Sequence, residues 1–262
     1  MKKKILKIFA TIFTCICCTF GFGGCINYLN EELEYKLLDD GTYSVALGYL
    51  CAIENVEIPS TYNGEPVTQV VNHKSAYNVY INEKVKTVTI PDSVTVIGDM
   101  AFYYCHSIES VTIGDGVVSI GENAFPYCTK LKSITMGNSI TSIAANAFFH
   151  CDRLQSLQLP DSLLFIGEYA FSECRELKSV VLGDGLTTID KFAFNECEGM
   201  KSLVIGGNVQ EIGKYAFFEC KALTDITFKG TVAEWNSISF GSKWNYYVPA
   251  TQVVCIDGTV AL

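Results

Sequence analysis

The chain is built from short segments in which apolar and polar residues alternate, and these segments return every 23 residues. In residues 85–90, the apolar Val88 and Ile90 alternate with Thr87 and Thr89. This period-two alternation predicts a short β-strand with one buried face. Turn-forming triplets such as Pro-Asp-Ser and Gly-Asp-Gly end the strands. The return segment, Val-x-x-Ile-Gly-x-x-Ala-Phe-x-x-Cys, is too short for a long helix. We therefore expect an extended or 3₁₀ piece with a tight corner at the cysteine.

The same set of apolar positions recurs in six full units over residues 85–222. A partial seventh unit opens with Leu223, Ile226 and Phe228. A constant period of this size is typical of a solenoid, because one coil alone cannot bury its apolar face. We therefore predict a repeat solenoid, mainly β with short 3₁₀ or helical turns and with capped ends. One column of the repeat consists of Cys105, Cys128, Cys151, Cys174, Cys197 and Cys220.

The repeated pattern resembles the BspA-type leucine-rich repeat of bacterial and some protist surface proteins. The residues that carry the resemblance are Ile97-Gly98-x-x-Ala101-Phe102-x-x-Cys105 and their copies, and the match extends over about residues 55–230. Two copies depart from it, with Ala144 and Asp190 in the glycine position. The resemblance implies a curved, right-handed solenoid displayed outside the cell, and it implies no catalytic residues.

The first 24 residues differ from the rest of the chain. Four lysines precede an apolar run, and small residues follow it, which is typical of a secretory signal peptide. Gly23-Gly24-Cys25 also resembles a bacterial lipobox, with Phe22 in place of the usual leucine. The resemblance implies lipidation of Cys25 and anchoring at the bacterial cell surface. Ordinary secretion and an uncleaved anchor are the alternatives.

Acidic residues dominate the charge of the chain, which is −9 at pH 7. Removal of the four lysines of residues 1–24 leaves 15 basic against 28 acidic residues, a net charge of −13. Because contacts to phosphate need Lys and Arg, this balance argues against a nucleic-acid partner. The expected partner is an extracellular or host protein, with a glycan as the alternative, and the expected membrane contact is the lipid anchor alone.

Residues 25–84 precede the regular repeats of residues 85–230, and we predict that they form an N-terminal cap. They contain a degenerate first repeat and, at Asp39-Asp40-Gly41, a hairpin signal between two apolar stretches. A cap is needed because a bare first coil would expose apolar core and an unpaired strand edge.

Residues 231–262 break the rhythm at the other end and are predicted to form a C-terminal cap. Both tryptophans of the chain, Trp235 and Trp244, lie here with Tyr246 and Tyr247. The aromatic cluster has two interpretations: a hydrophobic plug that closes the core, or an exposed platform that stacks on a sugar or peptide.

The cysteine column admits packing, partial disulfides or a metal site. Neighbouring coils would bring each thiol within disulfide range of two equivalent partners, so the pattern selects no pairing. Structural zinc sites use short Cys-x₂₋₄-Cys pairs, unlike this spacing. We therefore favour packing of thiols as small hydrophobes, with Cys51 and Cys255 unpaired as well. The pair His150–Cys151 is not expected to be catalytic, because a thiol among apolar neighbours is inert. No metal, cofactor or catalytic site is predicted.

Two polar columns follow the cysteine corner and the turns. Glu173, Glu196 and Glu219 precede three successive cysteines, so they either bind calcium or are screened by Arg175 and Lys221. Earlier units hold aromatic residues or histidine at that corner: Tyr104, Tyr127 and His150. The other column is expected to cap the turns: Asp92, Asp115, Asp161 and Asp184.

The outward side of the predicted strands is a candidate partner-binding surface. Small hydroxyl side chains dominate it, so little side-chain entropy is lost when a partner covers it. A purely solvated sheet is the alternative. Its predicted members are Thr87, Thr89, Ser110, Thr112, Ser133, Thr135, Ser156 and Gln158.

The sequence therefore favours a non-enzymatic, cell-surface module for protein interaction or adhesion. A glycan-binding protein that uses the aromatic C-terminal segment is one alternative. A passive structural protein of the envelope is another. An enzyme is disfavoured, since no catalytic constellation stands outside the repeated columns.

Overall fold

The structure, a computed structural model, describes residues 33–48, 53–73 and 83–262. All of these described residues belong to one compact unit. Its first strands are β1 Leu33–Leu37, β2 Tyr43–Leu47, β3 Asn55–Glu57, β4 Thr61–Tyr62 and β5 Glu65–Val70.

Each 23-residue unit contributes two short strands. The first strand of each unit is one of β6 Thr87–Ile90, β8 Ser110–Ile113, β10 Ser133–Thr135, β12 Ser156–Gln158, β14 Ser179–Val181, β16 Ser202–Ile205 and β18 Asp225–Phe228. The second is one of β7 Val96–Ile97, β9 Ser119–Ile120, β11 Ser142–Ile143, β13 Phe165–Ile166, β15 Thr188–Ile189, β17 Glu211–Ile212 and β19 Ser239–Phe240. The return segment is thus extended, one of the two predicted alternatives.

Equivalent residues of successive units are paired in parallel, so the coils stack in register. Ser110 pairs with Ser133, and Ser156 pairs with Ser179. The second strands, with β1, β2, β4 and β5, form an eleven-stranded sheet. The first strands form two sheets, β10-β8-β6-β3 and β12-β14-β16-β18, the second of which continues into the C-terminal cap. The predicted β solenoid is confirmed.

The first-strand ladder is interrupted between β10 and β12, which do not pair. Ile134 and Met136 of this unit are half-buried, whereas the equivalent residues of other units, such as Val111 and Leu157, are buried. The outward surface of the first strands therefore consists of an N-terminal and a C-terminal half.

The corner of each coil is a turn in which two non-glycine residues have positive φ. In the first unit these are Met100 and Tyr104, at 57° and 58°. The Cys105 N–H donates to the Phe102 carbonyl at 3.2 Å, and no 3₁₀ helix forms in the described part of the chain. Left-handed backbone costs a bulky residue roughly 1–2 kcal/mol. The corner tolerates this cost because its backbone also bonds to the next coil: the Tyr104 N–H donates to the Pro126 carbonyl at 3.2 Å.

A column of buried phenylalanines lies inside the coils. Phe148 stacks between Phe125 and Phe171, with centroid separations of 5.1 Å on both sides. The column ends where Trp244 packs edge-on against Phe217, with centroids 6.1 Å apart. Its members are Phe102, Phe125, Phe148, Phe171, Phe194 and Phe217.

The aspartates predicted to cap turns bond between coils. Asp92 Oδ1 accepts from the backbone N–H of Asp115, and Asp115 Oδ1 accepts from that of Asn138, at 2.8 and 2.9 Å. Asp161 bonds to the Asp184 N–H in the same way, at 2.9 Å. Each carboxylate therefore satisfies a donor of the following coil and helps to hold the register.

Both ends of the described solenoid carry added elements. At the N-terminal end, β1 and β2 form an antiparallel hairpin around Gly41, whose φ is 85°, as the Asp39-Asp40-Gly41 signal predicted. At the C-terminal end, Thr231 caps a short helix, α1 Val232–Ser237, through a reciprocal pair of hydrogen bonds with Glu234. The chain then forms β20 Gln252–Cys255 and β21 Gly258–Ala261, an antiparallel hairpin that continues the six-stranded sheet.

Candidate interaction surfaces

The strand face is the outward side of the first strands and of β20. Along each strand, outward side chains alternate with buried ones. In β6, Thr87 and Thr89 point outward, whereas Val88 and Ile90 are buried. All the predicted members are half-buried or exposed and lie on this face: Thr87, Thr89, Ser110, Thr112, Ser133, Thr135, Ser156 and Gln158. The interruption between β10 and β12 separates the last two from the others.

Two valines on the strand face were not among the predicted members. Val181 and Val204 occupy the repeat position of Gln158, are half-buried, and are paired with each other across β14 and β16. Alignment of the repeat position of Gln158 through all units would have found both valines. At this position the residue changes from Thr or Gln in the earlier units to Val in these two. The C-terminal half of the face is therefore more apolar than the N-terminal half.

The charged edge of the strand face also differs between its halves. In the N-terminal half, Lys86 pairs with Glu54 at 2.8 Å and Lys132 with Glu109 at 2.7 Å. The contact with Glu54 raises the pKa of Lys86, and the contact with Lys132 lowers the pKa of Glu109. In the C-terminal half, Lys178 and Lys201 are exposed.

These two lysines, Lys178 and Lys201, form no ion pair with any other residue that the structure describes. Their ammonium groups are therefore open to a carboxylate from outside the chain. The N-terminal half of the strand face, by contrast, has its edge charges already neutralised.

The turn face is the surface formed by the corners of the coils. It begins with Tyr104 and Tyr127, which stack with centroids 4.5 Å apart, and continues with His150. Glutamates Glu173, Glu196 and Glu219 replace these rings in later coils, as the sequence pattern indicated. At this corner position the residues therefore change from aromatic to acidic between Tyr104 and Glu219.

Arg175 neutralises Glu173, the first of these glutamates. Of the two predicted alternatives, calcium binding and screening by basic residues, this contact agrees with screening. The Arg175 guanidinium contacts Glu173 at 2.5 Å and Asp152 at 3.0 Å, and Glu196 lies 3.8 Å away. Lys221 likewise lies 3.2 Å from a Glu219 oxygen. Among the described residues, no group of three or more His, Cys, Asp or Glu side chains has an arrangement that could hold a metal ion.

His150 and Cys151 point apart. The two ring nitrogens of His150 lie 3.0 Å from Glu173 and 3.3 Å from Asp152. The Cys151 thiol is buried and donates to the Phe125 carbonyl at 3.3 Å. The adjacent pair therefore lacks the contact that a Cys–His nucleophile needs.

The described thiols of the cysteine column are core residues. Burial raises the pKa of Cys128, Cys151 and Cys197 well above that of an ordinary thiol, and it also raises the pKa of Cys220. These four thiols and Cys174 are unpaired, as is Cys255 outside the column. Their burial and their lack of disulfides agree with packing, the interpretation that the sequence favoured.

The predicted aromatic site is divided by the structure. Trp235 and Trp244 are 3% and 9% exposed, and they pack with Phe240 in the cap. Tyr246 and Tyr247 are 41% and 58% exposed. The tryptophans form the plug, and the tyrosines lie on the surface beside it.

Several predicted features lie outside the described residues: the signal peptide of residues 1–24, Cys25 and Cys51. In the part of the chain that the structure describes, no helix has the length and apolarity needed to span a membrane.

Comparison with solved structures identifies similar folds in bacterial proteins. A leucine-rich repeat protein of T. pallidum has 25% identity and a TM-score of 0.61, over 81% of this chain and 85% of that chain. A leucine-rich repeat protein of Bacteroides ovatus has 28% identity and a TM-score of 0.69, over 86% of this chain. The match spans only 58% of that second protein. No functionally curated protein matches the sequence.

The family comparison agrees with the repeat geometry. The model of the BspA-type leucine-rich repeat region matches six copies, over residues 73–163 and 141–246. These ranges include most of the stacked coils and extend into the C-terminal cap. The chain therefore belongs to the BspA-type leucine-rich repeat family.

Proposed function

We propose that this chain is an exported, non-enzymatic interaction protein whose strand face binds another protein outside the cell. Membership of the BspA-type leucine-rich repeat family supports an interaction role. The basic and apolar pattern of residues 1–24 supports export. Adhesion to a host or neighbouring-cell protein is the role that we assign to the strand face.

One observation carries the choice of the strand face. Strands β14 and β16 present the same outward pattern side by side, Ser179 beside Ser202 and Val181 beside Val204. The centre of this patch is apolar and hydroxyl-rich, and unopposed lysines lie at its edge. Stable interfaces have this organisation, with an apolar centre that excludes water and a polar rim.

The charges of the patch favour a partner with an apolar centre and carboxylates along one side. Lys178 and Lys201 would meet those carboxylates, although the chain as a whole has a net charge of −9. A complementary arrangement steers encounter and fixes the register of the partner. The binding we propose therefore weakens as salt rises, because these lysines are exposed.

The test compares two matched pairs of substitutions. Ser179→Glu with Ser202→Glu places bulk and negative charge at the centre of the patch. Ser119→Glu with Ser142→Glu makes the same change on β9 and β11, where the serines are also half-buried and paired across neighbouring strands. Both pairs place like charges on adjacent coils, so their effects on stability are matched.

The probe is a biotinylated extract of epithelial surface proteins, captured by immobilised wild-type protein and by each variant. For proteins captured by the wild type, the retained amount is expected to fall at least tenfold with the strand-face variant. It is expected to stay unchanged with the β9–β11 variant. Equal retention by all three, equal loss by both variants, or no retention by the wild type contradicts the proposal. The last result would indicate a passive envelope protein.

We propose further that a lipid on Cys25 tethers the chain to the bacterial surface. Gly23-Gly24-Cys25 after an apolar run supports this site. Labelled palmitate is expected to enter the wild-type protein, and Cys25→Ala is expected to stop it. Equal labelling of the variant would remove this residue as the anchor.

A further inference from the structure

Stacked aromatic rings on the turn face expose their edges rather than their faces. Phe192 lies between Tyr169 and Tyr215, with centroid separations of 4.7 and 5.2 Å and interplanar angles of 5° and 23°. A ring within such a stack has both faces covered by its neighbours. It therefore offers no flat apolar surface to a ligand.

Lysines close the stack at its C-terminal end. Lys243 occupies the corner position that follows Tyr215, with φ of 56°. Its ammonium group lies 5.9 Å from the Tyr215 centroid and 4.9 Å from the Tyr246 centroid. Lys214 lies 5.0 Å from the Tyr215 centroid. Tyr215 and Tyr246 therefore already have cationic partners.

Tyr247 differs from Phe192 and Tyr215 in its surroundings. It occupies the corner position of Glu219 in the last coil, and 58% of it is exposed. The rings that approach it, Tyr246 and Phe218, are tilted by 44° and 58°, with centroids 4.2 and 5.8 Å away. No described ring lies parallel to Tyr247, so a face of this ring stays open.

A cleft of about 450 Å³ lies beside Tyr247. The size falls within the range of small-ligand sites, roughly 300–1,000 Å³. Tyr247, Val248 and Pro249 form its apolar wall, and Glu219 and Lys221 supply its polar groups. The cleft therefore combines an aromatic surface with one hydrogen-bond acceptor group and one donor group.

The polar groups of the cleft are paired, so they do not call for a charged ligand. Lys221 Nζ lies 3.2 Å from Glu219 and 2.8 Å from Glu198. The contact with Glu198 raises the pKa of Lys221, which stays protonated as a donor. A phosphate or a carboxylate would have to compete with two carboxylates for one ammonium group, which disfavours anionic ligands.

We propose that this cleft binds a neutral saccharide. A pyranose ring has an apolar C–H face and a rim of hydroxyl groups. The C–H face would pack on the ring of Tyr247, because an aromatic ring offers a flat apolar surface. The hydroxyl rim would donate to Glu219 and accept from Lys221. The site lies on the turn face, and it does not depend on the strand face proposed to bind protein.

The test uses neutral oligosaccharides of four to six residues from glucan, mannan and xylan, with binding followed by saturation-transfer NMR and titration. Tyr247→Ala removes the ring, and Tyr247→Asn removes it while keeping a residue that tolerates the φ of 64°. Tyr215→Ala is the matched control, because Tyr215 also has positive φ, at 57°, but its faces are covered. Near-ultraviolet circular dichroism checks that each variant is folded.

The wild-type protein and Tyr215→Ala are expected to bind at least one of these oligosaccharides equally. Both Tyr247 variants are expected to bind it at least tenfold more weakly, and Tyr247→Phe is expected to bind it normally. The strand-face variant Ser179→Glu with Ser202→Glu should bind it as the wild type does, which separates this site from the proposed protein-binding surface. Failure of the wild type to bind any of the sugars, unchanged binding by the Tyr247 variants, or preference for an anionic polysaccharide overturns the proposal.

Discussion

The thiol of Cys151 donates a hydrogen bond to the backbone carbonyl of Phe125, 26 residues earlier and one coil away, at an S···O distance of 3.3 Å. Cys174, Cys197 and Cys220 repeat the contact with Phe148, Phe171 and Phe194, at 3.5, 3.2 and 3.2 Å. The cysteine column therefore fills space and also satisfies a carbonyl at each corner. Only the protonated thiol can donate this bond.

Stability should fall steeply in mild alkali, because burial raises the pKa of Cys128, Cys151, Cys197 and Cys220. In the unfolded chain these thiols lose protons from about pH 8.5, whereas in the folded chain they keep them. Each thiol then removes about 1.4 kcal/mol of unfolding free energy per pH unit. The loss begins near the unfolded pKa and continues until the raised folded pKa is reached.

Urea unfolding at pH 7.5, 8.5 and 9.5 in the presence of reductant measures this effect. The unfolding free energy of Cys151→Ala should fall less with pH than that of the wild type, because one titrating thiol is missing. A wild-type unfolding free energy that stays constant over this range would show that the thiols are not buried.

Phe171→Ala should destabilise the solenoid by about 3–5 kcal/mol, since it removes a fully buried ring from a close-packed column. The ring stacks on Phe148 and Phe194, so its loss interrupts the column in the middle. Tyr169→Ala, two residues away on the half-buried turn face, is the control and should cost less. Equal effects of the two substitutions on the urea midpoint would contradict a core role for Phe171.

Met100→Asn should stabilise the protein by up to about 1 kcal/mol, because asparagine tolerates the left-handed backbone that Met100 adopts. Asn146 occupies the same repeat position, with φ of 55°, and Asn146→Ala should have the opposite effect. Thermal unfolding measures both. Changes of the same sign in the two variants would argue against backbone strain at this column.

Trp244→Ala should destabilise the C-terminal cap by about 3–5 kcal/mol, because Trp244 is buried against Phe217 and Trp235. Hydrogen exchange is expected to show the loss of protection first in β18 and β20. Tyr246→Ala, in the same segment but exposed, should leave exchange in these strands almost unchanged. A Trp244 variant with wild-type exchange would place the tryptophan on the surface.

The repeat period was sufficient to predict the solenoid, the first strands and the burial of the cysteines. Each apolar position recurs in six units, so the evidence for its burial accumulates in a way that a single segment never provides. The Asp39-Asp40-Gly41 hairpin was predicted for a local reason, since glycine accepts the φ of 85° that the turn requires.

Other features depend on contacts that a single unit does not reveal. The positive φ of Tyr104 and Glu173 is unexpected for such residues, and it is maintained by backbone bonds to the following coil. Similarly, Ile134 resembles its counterparts in sequence, yet the missing pairing between β10 and β12 leaves it half-buried.

The candidate sites were only partly predictable. The sequence shows five aromatic residues in residues 231–262, but not which rings face inward. Helix α1 lengthens the last coil, so that 28 rather than 23 residues separate the corner at Tyr215 from that at Lys243. Trp244 then lies opposite Ala216, between the coil and the cap, while Tyr247 remains at the surface.

The most direct test of the packed solenoid core is the reactivity of the cysteine column, followed residue by residue. Reduced protein is pulsed with N-ethylmaleimide in native buffer and again in denaturant, and peptides containing Cys128, Cys151, Cys174, Cys197 and Cys220 are quantified by mass spectrometry. Burial of these thiols in the core predicts almost no labelling in native buffer and complete labelling in denaturant. Rapid native labelling, or recovery of these residues as disulfides from protein kept without reductant, would contradict it.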